Sequence, residues 1–343
     1  MRLDRYLAAQ LPELSRTRIQ ELIEAELVLV DGRPTKGAHK LRAGEKIVVE
    51  AQARPPLCAE AESIPLDILF EDADVLVVNK AAGMTVHAGA GNIRGTLVNA
   101  LLGRGQALSQ GGDALRPGIV HRLDKETSGV ILVAKNDFAH AKLAEGFRQR
   151  TVKKTYIALV EGLLKERQGR IELAIGRDLH RRTRMAVHRQ KPGSALRNNV
   201  PRSSVLPGNA REARTDWRML AEVDGVTLVE VQLHTGRTHQ IRVHFSAVKH
   251  PVVGDTLYGA ASQICVSAGV ERGAGRDQEQ VTMPPLGRNF LHASRLGFSQ
   301  PRSGGWIEVR APLPRELREF IEDLASTAGE DSKRIDAVLA PYL

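Results

Sequence analysis

The chain has 343 residues, 42% of them hydrophobic, which leaves room for two domains and a sizeable core. Its two cysteines, Cys58 and Cys265, lie far apart and outside any ligand spacing, which excludes a disulfide framework and a Cys-based zinc site. Asp4, Arg5 and Glu13 break up the N-terminus and no run approaches 18 apolar residues, so a secretory leader and a membrane span are excluded and a cytoplasmic protein is expected; the net charge of +9 points to a polyanionic partner.

In chain order, Ser15 reads as the N-cap of a helix with apolar positions Ile19, Leu22, Ile23 and Leu27, and residues 28–32 read as a strand entering a turn. Residues 41–50 close a small α+β module over 1–50, in which nine basic residues nearly cancel eight acidic ones. Residues 51–63, with Pro55 and Pro56, read as a linker. A strand-rich domain is expected over 64–327, followed by a C-terminal tail over 328–343. Its strands are predicted at 75–78, 130–134, 153–160, 213–220 and 226–233, with a helix over 138–148 and a further strand through Gln240-Ile-Arg-Val243. Residues 192–211 and 262–285 read as insertions.

The chemistry concentrates in Arg116-Pro-Gly-Ile-Val-His-Arg-Leu-Asp-Lys-Glu-Thr-Ser-Gly129. One carboxylate, Asp124, sits in a turn beside His121, Arg122 and Lys125. Nearby positive charge depresses a carboxylate's pKa by about 1 to 3 units, so Asp124 is expected to be ionised and available as nucleophile or base. An isolated Asp in such a turn is most often a turn-former or helix cap; the surrounding cations argue for more. Asp124 comes one place too late for the protein-kinase catalytic loop, and no Asp-Phe-Gly follows. Glu126 stands where a Gly-x-Ser-x-Gly elbow around Ser128 would need its first glycine.

Nearly all of the excess charge lies between Arg177 and Arg211, where nine basic residues, Arg177, Arg181, Arg182 and Arg184 among them, face the single acid Asp178. Such an unbalanced run is the electrostatic footprint of phosphate contacts. His234, His239 and His244 recur every five residues, which on a strand alternates faces and cannot converge on one metal ion. The glycines of 89–95 are misspaced for a dinucleotide loop, so neither a metal nor a small-molecule cofactor is expected.

The run from Gly118 to Gly129 resembles the catalytic-aspartate signature of the RluA/RluD family of RNA pseudouridine synthases. Further segments resemble that family in the same order: Glu71-Asp-Ala-Asp-Val-Leu-Val-Val-Asn-Lys-Ala-Ala-Gly83, Lys154-Thr-Tyr156, Thr235-Gly-Arg-Thr-His-Gln-Ile-Arg-Val-His244, His250-Pro-Val-Val-Gly-Asp255 through Tyr258-Gly259, and Leu291-His-Ala293. They span about residues 65 to 320. One departure is Ala81, where the family's turn carries a proline; this loses a fixed φ. Within 1–50, the pattern through Ser15-Arg-Thr-Arg18 to Val30-Asp-Gly-Arg33 resembles an S4-like RNA-binding domain.

The resemblance implies an α+β fold: a mixed, largely antiparallel catalytic sheet behind an S4-like domain. It implies isomerisation of uridine to pseudouridine in structured RNA, most simply large-subunit ribosomal RNA or its precursor particle, by a monomer without cofactor. Asp124 would start the reaction, Tyr156 would stack on the flipped uracil near its C5 proton, and Arg242 would pair with Asp124. Arg122 would help hold the gap left by the extruded base, and His121 would bind the substrate RNA. Arg16, Arg18, Arg33 and Lys36 would face phosphate in the front domain, and Arg177, Arg181, Arg182 and Arg184 would grip RNA in the catalytic domain. The alternatives are a noncatalytic RNA-binding or ribosome-assembly protein and the same chemistry on transfer RNA.

Overall fold

The computed structural model describes residues 1–11, 16–50, 59–88, 93–105, 108–109, 116–179, 181, 184–188, 209–267 and 280–343. For residues 16–18, 21 and 332 it describes the backbone alone. The chain divides into two compact units, Met1–Cys58 and Ala59–Leu343.

The first unit packs helices α1 (Leu3–Gln10) and α2 (Arg16–Glu24) on the short antiparallel strands β1 (Val28–Val30), β2 (Arg33–Pro34) and β3 (Ile47–Val49), ordered β2-β1-β3. Its core is Leu3, Leu7, Ile19, Leu22, Ile23, Val28 and Val30, so the apolar stripe expected on the second helix faces inward. Asp31 and Gly32, both at positive φ, form the turn between β1 and β2. Ser15 lies outside the described residues.

In the second unit, strands β4 (Asp67–Glu71), β5 (Val75–Lys80), β6 (Ser128–Ala134), β7 (Lys153–Glu161), β8 (Gln168–Glu172), β11 (Arg214–Val223), β12 (Val226–Leu233), β15 (Leu291–Ser299) and β16 (Trp306–Arg310) join in one sheet. The order is β4-β5-β6-β15-β7-β12-β11-β8, with β16 also paired to β15. Among the described residues β6 and β15 make its single parallel pair. Two hairpins stand apart: β9 (Ala174–Arg177) with β10 (Met185–His188), and β13 (Cys265–Ser267) with β14 (Gln280–Thr282). The helices are α3 (Leu97–Gly103), α4 (Asp137–Arg148), α5 (Gln240–Ala247), α6 (Arg315–Thr327) and α7 (Ser332–Leu339).

The two-residue side-chain period of the strands divides the core into layers. Leu76 and Val78, Ile131 and Val133, Tyr156 and Ala158, and Val229 and Val231 point to one face, where they meet Leu97 and Leu101 of α3 and Ile241 and Phe245 of α5. Their neighbours Val75, Val77, Val130 and Leu132 point to the other face and meet Ala139 and Leu143 of α4; Ile157, Leu159 and Leu228 there meet Leu317, Ile321 and Leu324 of α6. Gly129 permits the parallel contact: at φ +112°, a Cβ on it would lie 2.2 Å from the Ala293 carbonyl oxygen of β15.

Three expectations need correction. Gln240-Ile-Arg-Val243 is the first turn of α5, not a strand. Four alternating residues suit either period, and the buried pair Ile241 and Phe245, four apart, fixes the helical one. The argument against a histidine metal site therefore loses its strand geometry; instead His244 is bound to Thr215 Oγ1 and the Leu173 carbonyl, and His234 to Asp216. The segment 328–343 is not a tail, because Ile335 and Leu339 of α7 are fully buried against α6. Residues 59–63 belong to the second unit, where the Glu62 amide donates to the Asn99 carbonyl.

Candidate active site

Asp124 occupies the turn that enters β6, closed by the Thr127 amide donating to the Asp124 carbonyl at 3.1 Å. Two buried cations brace this turn through its backbone. Lys80 Nζ, at the end of β5, donates to the carbonyls of Ala81, Met84 and Lys125 at 2.7, 2.8 and 3.1 Å. Arg288 donates to the Glu126 carbonyl at 3.1 Å and to Ser128 Oγ at 3.0 Å, and Ser128 also meets His292 Nδ1 at 2.9 Å. Burial, reinforced by Arg288, brings the Lys80 ammonium down to about 7.

The facing wall comes from the loop after β12 and the start of α5. Buried Gln240 ties that loop down: its Oε1 accepts from Thr235 Oγ1 and the Arg237 amide, and its Nε2 donates to the Arg214 carbonyl and Thr215 Oγ1. His239 precedes α5 in the left-handed region, φ +57°, an uncommon conformation for a side chain of this size. Arg242 follows, 10% exposed. Its guanidinium makes a fork to Asp255, Nε to Oδ2 at 2.6 Å and Nη2 to Oδ1 at 2.8 Å, and extends Nη1 to Asp124 Oδ2 at 3.4 Å. The expected Arg242–Asp124 contact is thus the weaker half of a triad whose strong, bidentate partner is Asp255.

Between the walls lies a cleft of about 520 Å³, the size of a small-molecule or single-base site. Asp124 and Tyr156 both line it, as do Arg122, Arg150, Lys154 and Arg237. Among the described residues Asp124 is its sole carboxylate. Burial, then the nearby Asp124 charge, raises the Tyr156 phenol well above its usual range, so at neutral pH it is a hydroxyl. Lys154 is pushed down to about 8 by burial and by Arg237 and Arg150. One carboxylate among cations, Lys154 and Arg237 partly desolvated and Arg122 and Arg150 exposed, can receive an anionic substrate and present a single oxygen pair to it.

His121 lines the cleft wall in a fixed orientation: Nε2 accepts from the Leu132 amide at 2.9 Å, and the ring stacks on Phe147 at 4.7 Å. Burial, then Lys154, brings it down to about 3, so it is neutral. Arg122 is exposed at the rim. Arg177 and Arg181 are exposed on and beside the β9–β10 hairpin, and Arg184 lies over the Tyr258 ring at 5.3 Å. In the first unit Arg33 and Lys36 are exposed. The side chains of Arg16 and Arg18, all of Arg182 and most of the 192–211 segment lie outside the described residues.

The sequence reading gave no role to Asp255, His239, Tyr258, Lys80 or Arg288. Asp255 and Tyr258 stood within a matched segment, and the signal that could have found Asp255 is an acid near a segment carrying a buried arginine. Lys80 also stood in a matched turn. A lysine ending an apolar strand is ordinarily a solvated cation, and only the fold shows that its ammonium is buried.

Both units have matches among known proteins. Residues 74–247 match the RNA pseudouridylate synthase family and residues 1–47 the S4 domain. The chain is 40% identical to the ribosomal large subunit pseudouridine synthase D of Nitrosomonas europaea over 94% of its own length and 84% of the relative's. It is 38% identical to the uncharacterized RNA pseudouridine synthase YlyB of Bacillus subtilis over 94% of each chain. Among solved structures it is similar to human RNA pseudouridylate synthase domain containing 1, with a TM-score of 0.50 and 28% identity, covering 78% of this chain and 97% of that one. The family match over residues 74–247 and relatives about 40% identical over nearly the whole chain show that it belongs to the RNA pseudouridine synthase family.

Proposed function

We propose that the chain isomerises uridines of large-subunit ribosomal RNA, with Asp124 as the reacting carboxylate, Tyr156 as the platform for the flipped base and Arg242 as the group that holds Asp124 in place. The observation that carries this reading is the one carboxylate of the cleft among the described residues, 15% exposed, set within reach of the Arg242 guanidinium and sharing the lining with Arg122, Arg150, Lys154 and Arg237. The reaction breaks the C1′–N1 bond, turns the uracil and joins C1′ to C5; C5 gives up its proton and N1 takes one up, so uridine and product are isomers. It begins at a carboxylate, either by attack on C1′ or by removal of the 2′ proton, and both routes start from Asp124. Arg242, locked by Asp255, keeps the carboxylate aimed while the sugar carries positive character. Tyr156 presents its ring to the base, a contact worth about 1 to 3 kcal/mol, and its hydroxyl to C5. Arg122 at the rim fills the stack after the base leaves it, a step that costs a few kcal/mol and least for an unpaired base.

The relative named for the ribosomal large subunit supports the choice of RNA, and the S4 match supports a separate RNA grip within the first unit. The target is tested by incubating the purified protein with unmodified ribosomal and transfer RNA and mapping pseudouridine at single-nucleotide resolution. New pseudouridines in a large-subunit stem-loop are the expected result. Modification confined to transfer RNA defeats the ribosomal assignment, and none in either RNA defeats both.

A further inference from the structure

His239 and Tyr258 form a chain of contacts from the β9–β10 hairpin to Asp124. Tyr258, 2% exposed, packs with Ile175 of β9 and Val243 of α5, and Met185 of β10 packs against them. Its hydroxyl accepts from the Met185 amide at 3.0 Å and meets His239 Nδ1 at 2.8 Å. On the other side of the imidazole, His239 Nε2 faces Asp124 Oδ1 at 3.8 Å, while Arg242 Nη1 faces Oδ2. Arg242 and Arg184 both lie over the Tyr258 ring, at 4.9 and 5.3 Å.

The hydrogen-bond inventory fixes the direction of this chain. With the Met185 amide donating to it, the Tyr258 hydroxyl satisfies all three groups by donating its own proton to His239 Nδ1. The neutral ring then carries its proton on Nε2, the nitrogen that faces Asp124. Burial pushes the His239 ring below its usual range, which favours this neutral form. The left-handed backbone at His239 is the kind of local strain that surrounding contacts must hold in place, and Tyr258 supplies one of those contacts.

We infer that His239 is a positioning residue for Asp124, and that Tyr258 links it to the seating of the arginine-bearing β9–β10 hairpin. RNA held by Arg177 and Arg181 then favours the seated hairpin, in which Met185 occupies the Tyr258 hydroxyl and leaves Nε2–H directed at the carboxylate. The inference rests on Asp124 as the reacting acid and adds a route by which substrate grip is felt there.

The test uses the full chain and ribosomal RNA transcribed with 5-tritiated uridine, since isomerisation frees the C5 hydrogen. Tyr258→Phe keeps the ring under Arg242 and Arg184 and removes only the hydroxyl; His239→Asn keeps a residue tolerant of the left-handed backbone and removes Nε2. Each is expected to lower the single-turnover rate about tenfold while leaving RNA affinity close to wild type. The double variant should be about tenfold slower rather than a hundredfold, because both changes cut the same chain. Tyr258→Phe alone should also speed deuterium exchange at the Met185 amide. Multiplicative losses, wild-type rates in both single variants, or a loss confined to RNA affinity overturn the link. If His239→Asn does not fold, the rate and exchange of Tyr258→Phe decide the matter alone. Asp124→Asn runs alongside: if it stays active, the acid itself is misassigned and the link falls with it; if it is inactive while the other variants keep wild-type rates, only the link falls.

Discussion

Arg33 and Lys36 of the first unit and Arg242 and Lys154 of the cleft are the same residue types held in opposite ways. Arg33 and Lys36 are exposed on a three-stranded module, and ion pairs there, such as Arg2 with Asp4, are short-range and solvated. In the cleft, Arg242 is locked in a fork to Asp255, and Lys154 is desolvated until its ammonium is only weakly held near neutrality. An exposed cation contributes a screened attraction to any phosphate. A buried, oriented one has already lost its solvation and side-chain freedom, so it can act on one geometry. The difference teaches that charge count alone does not separate the grip on RNA from the chemistry.

The comparison can be broken most sharply at the acid. Asp124→Asn is nearly isosteric, so folding and RNA binding should persist while pseudouridine formation falls by at least about 10³-fold, as when a nucleophile is lost from a catalytic set. Nucleoside digestion with mass detection reads it directly, and a variant that stays near wild-type turnover defeats the assignment.

The lock on Arg242 comes next. Asp255→Asn leaves a buried guanidinium without its charged partner, and removing one member of a buried pair costs about 3 to 5 kcal/mol. Denaturant unfolding should show that loss, with turnover falling further than stability explains. A variant as stable and active as wild type would show that Arg242 relies on Asp124 rather than Asp255.

Lys154 offers a pH test. Its ammonium titrates at about 8 in the free protein, and an arriving phosphate raises that value, so binding takes up a proton once the pH exceeds 8. Affinity should therefore be flat below pH 8 and weaken above it, by at most about tenfold per pH unit. Lys154→Arg, which stays charged, should flatten the profile. A wild-type profile that is already flat up to pH 9.5 would mean that phosphate does not reach Lys154.

The smallest effect belongs to the first unit. Arg33→Glu with Lys36→Glu should weaken RNA affinity several-fold and reduce the slope of log affinity against log salt by about 0.7 to 0.9 per lost phosphate contact. The loss should appear in KM rather than kcat. An unchanged salt slope would show that these two exposed cations do not touch RNA.

Asp124 stood out in the chain as one carboxylate in a cation-flanked turn rich in Thr, Ser and Gly, whereas Tyr156 and Arg242 were singled out by the resemblance to the pseudouridine synthase family. The strands over 153–160 and 226–233 and the helix over 138–148 were legible because burial on one face imposes a period that neighbouring residues share. The start of α5 was misread because four residues are too few to separate a period of 2 from one of 3.6. The helix at 332–339 was missed because its burial depends on α6, which only the folded chain brings against it. Asp255 as the real anchor of Arg242, Lys80 and Arg288 as braces of the Asp124 turn, and the His239–Tyr258 contact all join residues 13 to more than 150 positions apart or reverse the ordinary expectation of where a charge sits. Sequence by itself determined the family and the candidate carboxylate, because ordered local motifs carry them. Tertiary structure alone decided which charge is paired with which, because desolvation and hydrogen-bond geometry exist only once distant segments have packed together.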